Sequence, residues 1–134
     1  MNNLHPNILL VNKFFEAYSK NDQEAIKQVL SPNIEWVIPG NHPLSGTKKG
    51  VSEVLHYLSE LGKAYFKAEP IVMGVNEKYV IDCHRNWSNL ESQNNLDNKS
   101  CLLWEITNNV ISKVINFPED QHAVDLFFNN LYSK

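Results

Sequence analysis

The sequence predicts an α+β fold in which three helical segments come first, several strands follow, and a short helix closes the chain. Three observations carry this. Apolar side chains recur three and four residues apart in the first part of the chain, the period of an amphipathic helix. Beyond about residue 65 the period falls to two, as in half-buried strands. Between these regions, Asn33–Gly50 changes character: Ile34, Trp36 and Ile38 alternate, then Pro39, Gly40, Pro43 and Gly46 turn the chain into a loop-rich crossing. That order favours helices gathered on one side of a curved sheet. Glu35, Asn41 and His42 give the crossing a polar rim, which makes it the first place to seek a pocket.

Taken in order, Leu10, Phe14, Ala17 and Tyr18, widened by Val11 and Phe15, predict a helix over 7–20. Asn21 suits the cap of a second helix, with Glu24 three residues on as in a capping box and Ala25, Ile26, Val29 and Leu30 on the buried side. Ser31–Pro32 ends it, because the residue before proline is pushed out of the helical region. After the crossing, Thr47 is the expected cap of a third helix near 48–61. Val51, Val54, Leu55, Leu58 and Leu61 face inward there, and Gly62 is the stop. Residues 65–74 read as a strand that Pro70 either weakens in its middle or places at a sheet edge, followed by a turn near Gly74–Glu77.

The strand over 78–88 puts Tyr79, Ile81, Cys83, Arg85 and Trp87 on one face and Val80, Asp82, His84 and Asn86 on the other. Asn89–Asn98 reads as an exposed hairpin loop. The next strand, 99–106, separates Leu102, Trp104 and Ile106 from Cys101, Leu103 and Glu105, and Asn108–Asn109 signals a tight turn before a strand over 110–117. Pro118 fits the first turn of the last helix, with Glu119 and Asp120 at its N-terminus. Its apolar side, Ala123, Val124, Phe127, Phe128 and Leu131, completes the core or enters a dimer interface.

At 134 residues the chain fits one domain, 1–134, large enough to bury roughly two thirds of the surface its extended form exposes. No apolar run approaches the ~20 residues that cross a bilayer. The opening MNNLHPN lacks a basic region followed by an apolar block, so a cytoplasmic protein with no membrane partner is expected. A net charge of -3, with lysines scattered except for Lys48–Lys49, argues against a nucleic-acid partner. Cys83 and Cys101 fall in separate strands and are expected as reduced packing residues, a cross-strand disulfide or a reactive thiol being the alternatives. Neither a phosphate-cradling glycine loop nor HExxH, paired CxxC or GxSxG is present, so no metal site and no cofactor is implied.

The element order, together with FFEAYSKNDQEAIKQVLSPNIEWVIPG, HPLSG and ISKVINFPED, resembles the NTF2-like superfamily, especially its SnoaL-like branch, over almost the whole chain. The resemblance implies a cone-shaped, curved sheet, mixed or antiparallel, packed against three N-terminal helices with a short C-terminal helix. It further implies an enclosed pocket and a homodimer. That superfamily holds polyketide cyclases, ketosteroid isomerases, epoxide hydrolases and non-catalytic binding proteins, so it leaves the chemistry open.

The tyrosine, the aspartate base and the oxyanion-hole aspartate of the ketosteroid isomerases fall at Phe14, Ile38 and near Leu102 or Leu103, none of which can give or take a proton. An epoxide-hydrolase arrangement would need Asp82, Arg85 and Asp120, but strand parity separates the first two. The resemblance to SnoaL-like cyclases implies instead that an Asp or His moves a proton in a dry cavity.

For that role the candidates are Asp120 and His122 near the expected mouth, His84 and Glu105 in the sheet, and His42 in the crossing. Three of them have a plainer reading: a helix cap for Asp120, a surface or interface position for His84, a solvent-facing loop for His42. Trp36, Trp87 and Trp104 offer flat apolar contacts to a ring, or ordinary core packing. Arg85 on an apolar strand face needs a partner, Glu105 or an acidic ligand, and Asn116 is placed to orient a substrate or to finish a sheet edge. The leading function is binding of a small hydrophobic or aromatic molecule, with cyclisation, isomerisation or hydration by acid–base chemistry. A non-catalytic binding module and a dimeric interaction protein are the alternatives.

Overall fold

The computed structural model describes residues 4–91 and 95–132; the middle of the loop expected over Asn89–Asn98 lies outside the described residues. Helix α1 (Pro6–Ser19) starts at a proline, where the missing N–H costs nothing, and the His5 ring accepts from the Asn7 amide. Buried Asn7 ties this end to the sheet by donating to the carbonyls of Asn76 and Glu77. Helix α2 (Gln23–Val29) is capped by Asp22, whose carboxylate accepts from the Ala25 amide at 3.1 Å. Asn21 was the expected cap. It takes a left-handed φ of 54° instead and is spent on the turn between the helices.

Strand β1 (Leu30–Ile38) begins before Pro32. The chain then doubles back into β2 (Gly46–Lys49), a strand the sequence did not signal, which pairs antiparallel with β1 and takes up Thr47, the expected helix cap. Helix α3 (Gly50–Gly62) is capped in reverse, with Glu53 reaching back to the Lys49 amide at 2.8 Å. Strands β3 (Lys67–Val75), β4 (Tyr79–Trp87), β5 (Asp97–Thr107) and β6 (Val110–Pro118) follow, and α4 (Gln121–Leu131) closes the fold. Asn108 and Asn109 both have positive φ, as a two-residue hairpin turn requires. Pro118 ends β6 rather than opening α4, and Asp120 caps that helix.

The strands form one mixed sheet in the order β2-β1-β6-β5-β4-β3, with β1 and β6 parallel and the other pairs antiparallel. This corrects the cone-shaped sheet expected above: the sheet is open, neither closed nor strongly curled. Its two edges are poor partners for closure. Strand β2 has four residues, and β3 loses register between Pro70 and Val72. One face carries Ile34, Trp36, Val80, Leu102, Trp104 and Val114, all buried together with Phe14, Val54 and Phe128 from the helices. The opposite face leaves Val72, Ile81 and Phe117 exposed. Among the described residues no helix is long and apolar enough to cross a membrane.

Candidate active site

Strand alternation puts Asp82 and His84 of β4 on the helix-covered face, where they are 2% and 7% exposed. A carboxylate so deep needs partners for both oxygens. His84 Nδ1 lies 2.7 Å from Asp82 Oδ1, and the indole N–H of wholly buried Trp104 on β5 donates to Oδ2. A carboxylate can only accept, so Nδ1 is the donor in this pair, and Nε2 is the ring atom left over to face a ligand.

His84 forms part of the wall of a cavity of about 130 Å³ between the sheet and α1, α3 and α4. That volume approaches the ~150 Å³ of an apolar cavity that accepts benzene. A wider cleft of about 910 Å³, bordered by α1, the end of α3 and β3, shares Phe15, Tyr18, Phe66 and His84 with it. The imidazole thus stands where the inner space meets the cleft. Phe14, Ile38 and Leu102, the positions of the ketosteroid isomerase groups, also line the cavity and supply only apolar surface.

A second polar set crosses the inner wall. Trp36 Nε1 donates to Asn116 Oδ1 at 2.7 Å, and Asn116 in turn bonds the phenol of Tyr57 on α3. Burial pushes the Tyr57 pKa far above its ordinary value, with nearby Tyr18 adding to the shift and the Asn116 bond opposing it, so the phenol stays protonated. Asn98 and Asn86 both donate to Ser100 Oγ, at 3.0 and 3.1 Å, and all three residues line the cavity.

The crossing is held by α4. Asp125 Oδ1 accepts from the Asn41 amide and from Gln121 Nε2, while Asn129 donates to the Asn41 carbonyl. Gly40 suits this junction: its φ of 98° lies where other residues are strained, and a Cβ there would push on the ends of the Gln121 and Asp125 side chains. The clamp turns His42 inward, 8% exposed, with its ring stacked on Phe128 at 4.9 Å between centroids. Burial depresses the His42 pKa, Asp125 opposing the shift and Lys48 reinforcing it. The Leu44 amide donates to its Nδ1.

Of the residues singled out from the sequence, the cavity gathers His42, His84, Trp36 and Asn116. Trp104 lies behind it as the support of Asp82. Asp120 and His122 are exposed on α4, and Asp120 is engaged in capping Ala123. Glu105 sits on the opposite sheet face, 3.7 Å from Lys78. Arg85 is on that face too, paired through two hydrogen bonds with Asp97 rather than Glu105 and lying 4.3 Å over the Trp87 ring. Among the described residues no cluster of three potential metal ligands forms. Tyr57 and the pairing of Asp82 with His84 escaped the sequence reading. Tyr57 lies three residues after Val54 on the same helix face, and Asp82 two before His84 on the same strand face, so both signals were present.

No protein-family model matches the chain. It is similar to the uncharacterised protein Rv0034 of Mycobacterium tuberculosis, 24% identical over 123 residues that cover 89% of this chain and 93% of that protein. Among solved structures it resembles Bal32a from a soil-derived mobile gene cassette, with a TM-score of 0.86, 23% identity, and 92% of this chain and 96% of that one covered. An NTF2-like protein of unknown function from Burkholderia pseudomallei superposes with a TM-score of 0.83 at 17% identity, covering 93% and 98%. TerC, co-crystallised with polyporic acid, gives 0.82 at 17% identity, covering 93% and 99%. The order of strands, the helices on one sheet face and likenesses of this extent show that the chain has the fold of the NTF2-like superfamily, in which the SnoaL-like proteins fall.

Proposed function

We propose that the chain binds a small, mainly apolar cyclic molecule in the cavity between helices and sheet. There it moves a proton on that molecule without a cofactor, in a cyclisation, isomerisation or hydration. The observation that carries this reading is the Asp82–His84 pair at the cavity wall, with the second carboxylate oxygen held by Trp104. In this reading Nε2 of His84 takes a proton from carbon next to a carbonyl, or from water, and Asp82 stabilises the imidazolium that forms. Tyr57, kept protonated by burial and bonded to Asn116, donates its O–H to the oxygen on which charge develops. Trp36, Phe14 and Leu58 exclude water and face the ring. The co-crystal of TerC with polyporic acid supports a small-molecule role for this fold.

The exposed sheet face bearing Val72, Ile81 and Phe117 is, in the same reading, the contact between two copies of the chain.

The test of the chemistry is deuterium exchange at the carbon next to the carbonyl of a panel of cyclic ketones, followed by NMR in heavy water. The wild-type protein accelerates exchange in at least one, His84→Gln lowers that rate by roughly 10²-fold or more, and Asp82→Asn lowers it while binding persists. Binding with equal exchange rates in wild type and His84→Gln supports a binding module and overturns the catalytic reading.

A further inference from the structure

Two side chains on the cavity wall are more than nine-tenths buried, and each has one polar atom with no hydrogen-bond partner among the described residues: Nε2 of His42 and Oδ1 of Asn98. They come from separate parts of the fold, the crossing and β5, and neither belongs to the Asp82–His84 pair. The bonds each residue does make define what the free atom is. The Leu44 amide donates to His42 Nδ1, so the neutral ring carries its hydrogen on Nε2, leaving an unused N–H donor. Asn98 Nδ2 donates to Ser100 Oγ, so Oδ1 is left as an unused acceptor. Native proteins rarely leave such groups unpaired when buried, and two in one cavity point to a ligand that completes them.

Resting on the reading of this cavity as a ligand site, we propose that its ligand is an uncharged single-ring compound carrying both a carbonyl or ether oxygen and a hydroxyl or N–H group. The oxygen accepts from His42 Nε2, and the hydroxyl or N–H donates to Asn98 Oδ1. The inner cavity, at about 130 Å³, has room for one ring between these two groups. The buried Asp82 carboxylate behind the wall disfavours an anion, and the N–H that His42 presents disfavours a cation. A hydroxy-ketone ring meets each condition, and its carbonyl also acidifies the neighbouring carbon for the base.

The probes are 3- and 4-hydroxyacetophenone, acetophenone, phenol and toluene, titrated at pH 7 against the fluorescence of Trp36 and its neighbours. The better hydroxyacetophenone binds at least tenfold more tightly than acetophenone or phenol. Asn98→Leu removes its advantage over acetophenone, and His42→Phe removes its advantage over phenol, with circular dichroism confirming that each variant is folded. If His42→Phe does not fold, the wild-type series and Asn98→Leu decide alone. Equal binding of all the probes, toluene included, overturns the paired-group inference while leaving the cavity a ligand site. Failure of every probe to bind overturns both.

Discussion

His42 shows how one residue records the tertiary structure around it. On a loop rich in Gly and Pro its default is water, yet the stacking of Phe128 and the hydrogen bonds of Asp125 and Asn129 to the crossing bury it. Because burial depresses its pKa, the folded protein holds it neutral at a pH where the unfolded chain takes a proton. This contribution to stability is complete above the unfolded value of ~6.5 and is lost as the pH falls below it toward the folded pKa. The denaturant midpoint of the wild type therefore falls between pH 7 and 5, and the non-titrating His42→Gln falls less over the same interval. Parallel slopes for the two proteins would show that His42 is not buried neutral. The sequence could not show this inward turn, since its cause lies about eighty residues away in α4. By contrast, the common face of Asp82 and His84 was legible from strand parity alone. What parity could not tell was that the carboxylate turns to the imidazole and the Trp104 indole while Arg85, on the other face, pairs with Asp97.

At the scale of elements, legibility followed the apolar pattern. Strands β4, β5 and β6 alternate strongly and were readable to within two residues; β2, Gly-Thr-Lys-Lys, has no apolar side chain and was invisible until its pairing with β1 was seen. Pairing also brings the two cysteines together. Cys83 and Cys101 are directly opposed across β4 and β5. The Ser88 amide bonds the Leu96 carbonyl at one end of this ladder and the Ile106 amide bonds the Lys78 carbonyl at the other, which marks the even-numbered positions of β4 as the hydrogen-bonded ones. Cys83–Cys101 is then a non-hydrogen-bonded pair, with Cα atoms about 4.5 Å apart, inside the range a disulfide spans. The thiols are free, and desolvation together with the neighbouring Cys83 raises the pKa of Cys101, which slows its reaction at neutral pH. Incubation with oxidised glutathione at pH 9 closes the pair within one chain, read as the loss of two hydrogens in the intact mass with no covalent dimer on a non-reducing gel. Only mixed disulfides or cross-linked dimers would contradict the opposed geometry.

For the whole molecule, the order of helices and strands was legible because each element carries its own period, whereas the curl of the sheet was not, because closure depends on whether its edges meet. They do not: β2 and β3 stand at opposite ends of an open sheet. One face of that sheet is filled by α1, α3 and α4, and the other has no helix among the described residues packed over it. On that bare face Val72, Ile81 and Phe117 are 62%, 48% and 51% exposed, flanked by half-buried Leu103, Ile115 and Trp87. Around them stand charges of both signs, Lys78 with Glu105 and Arg85 with Asp97, which allows a face to meet a copy of itself without net repulsion. A contiguous apolar surface of this kind is costly to leave in water. If two copies cover it, wild-type protein sediments as a dimer at micromolar concentration, and Ile81→Lys with Phe117→Glu gives a folded monomer whose ligand titration is unchanged, since neither residue lines the cavity. A wild-type protein that sediments as a monomer at all concentrations would remove the dimer and leave the cavity chemistry where it stands.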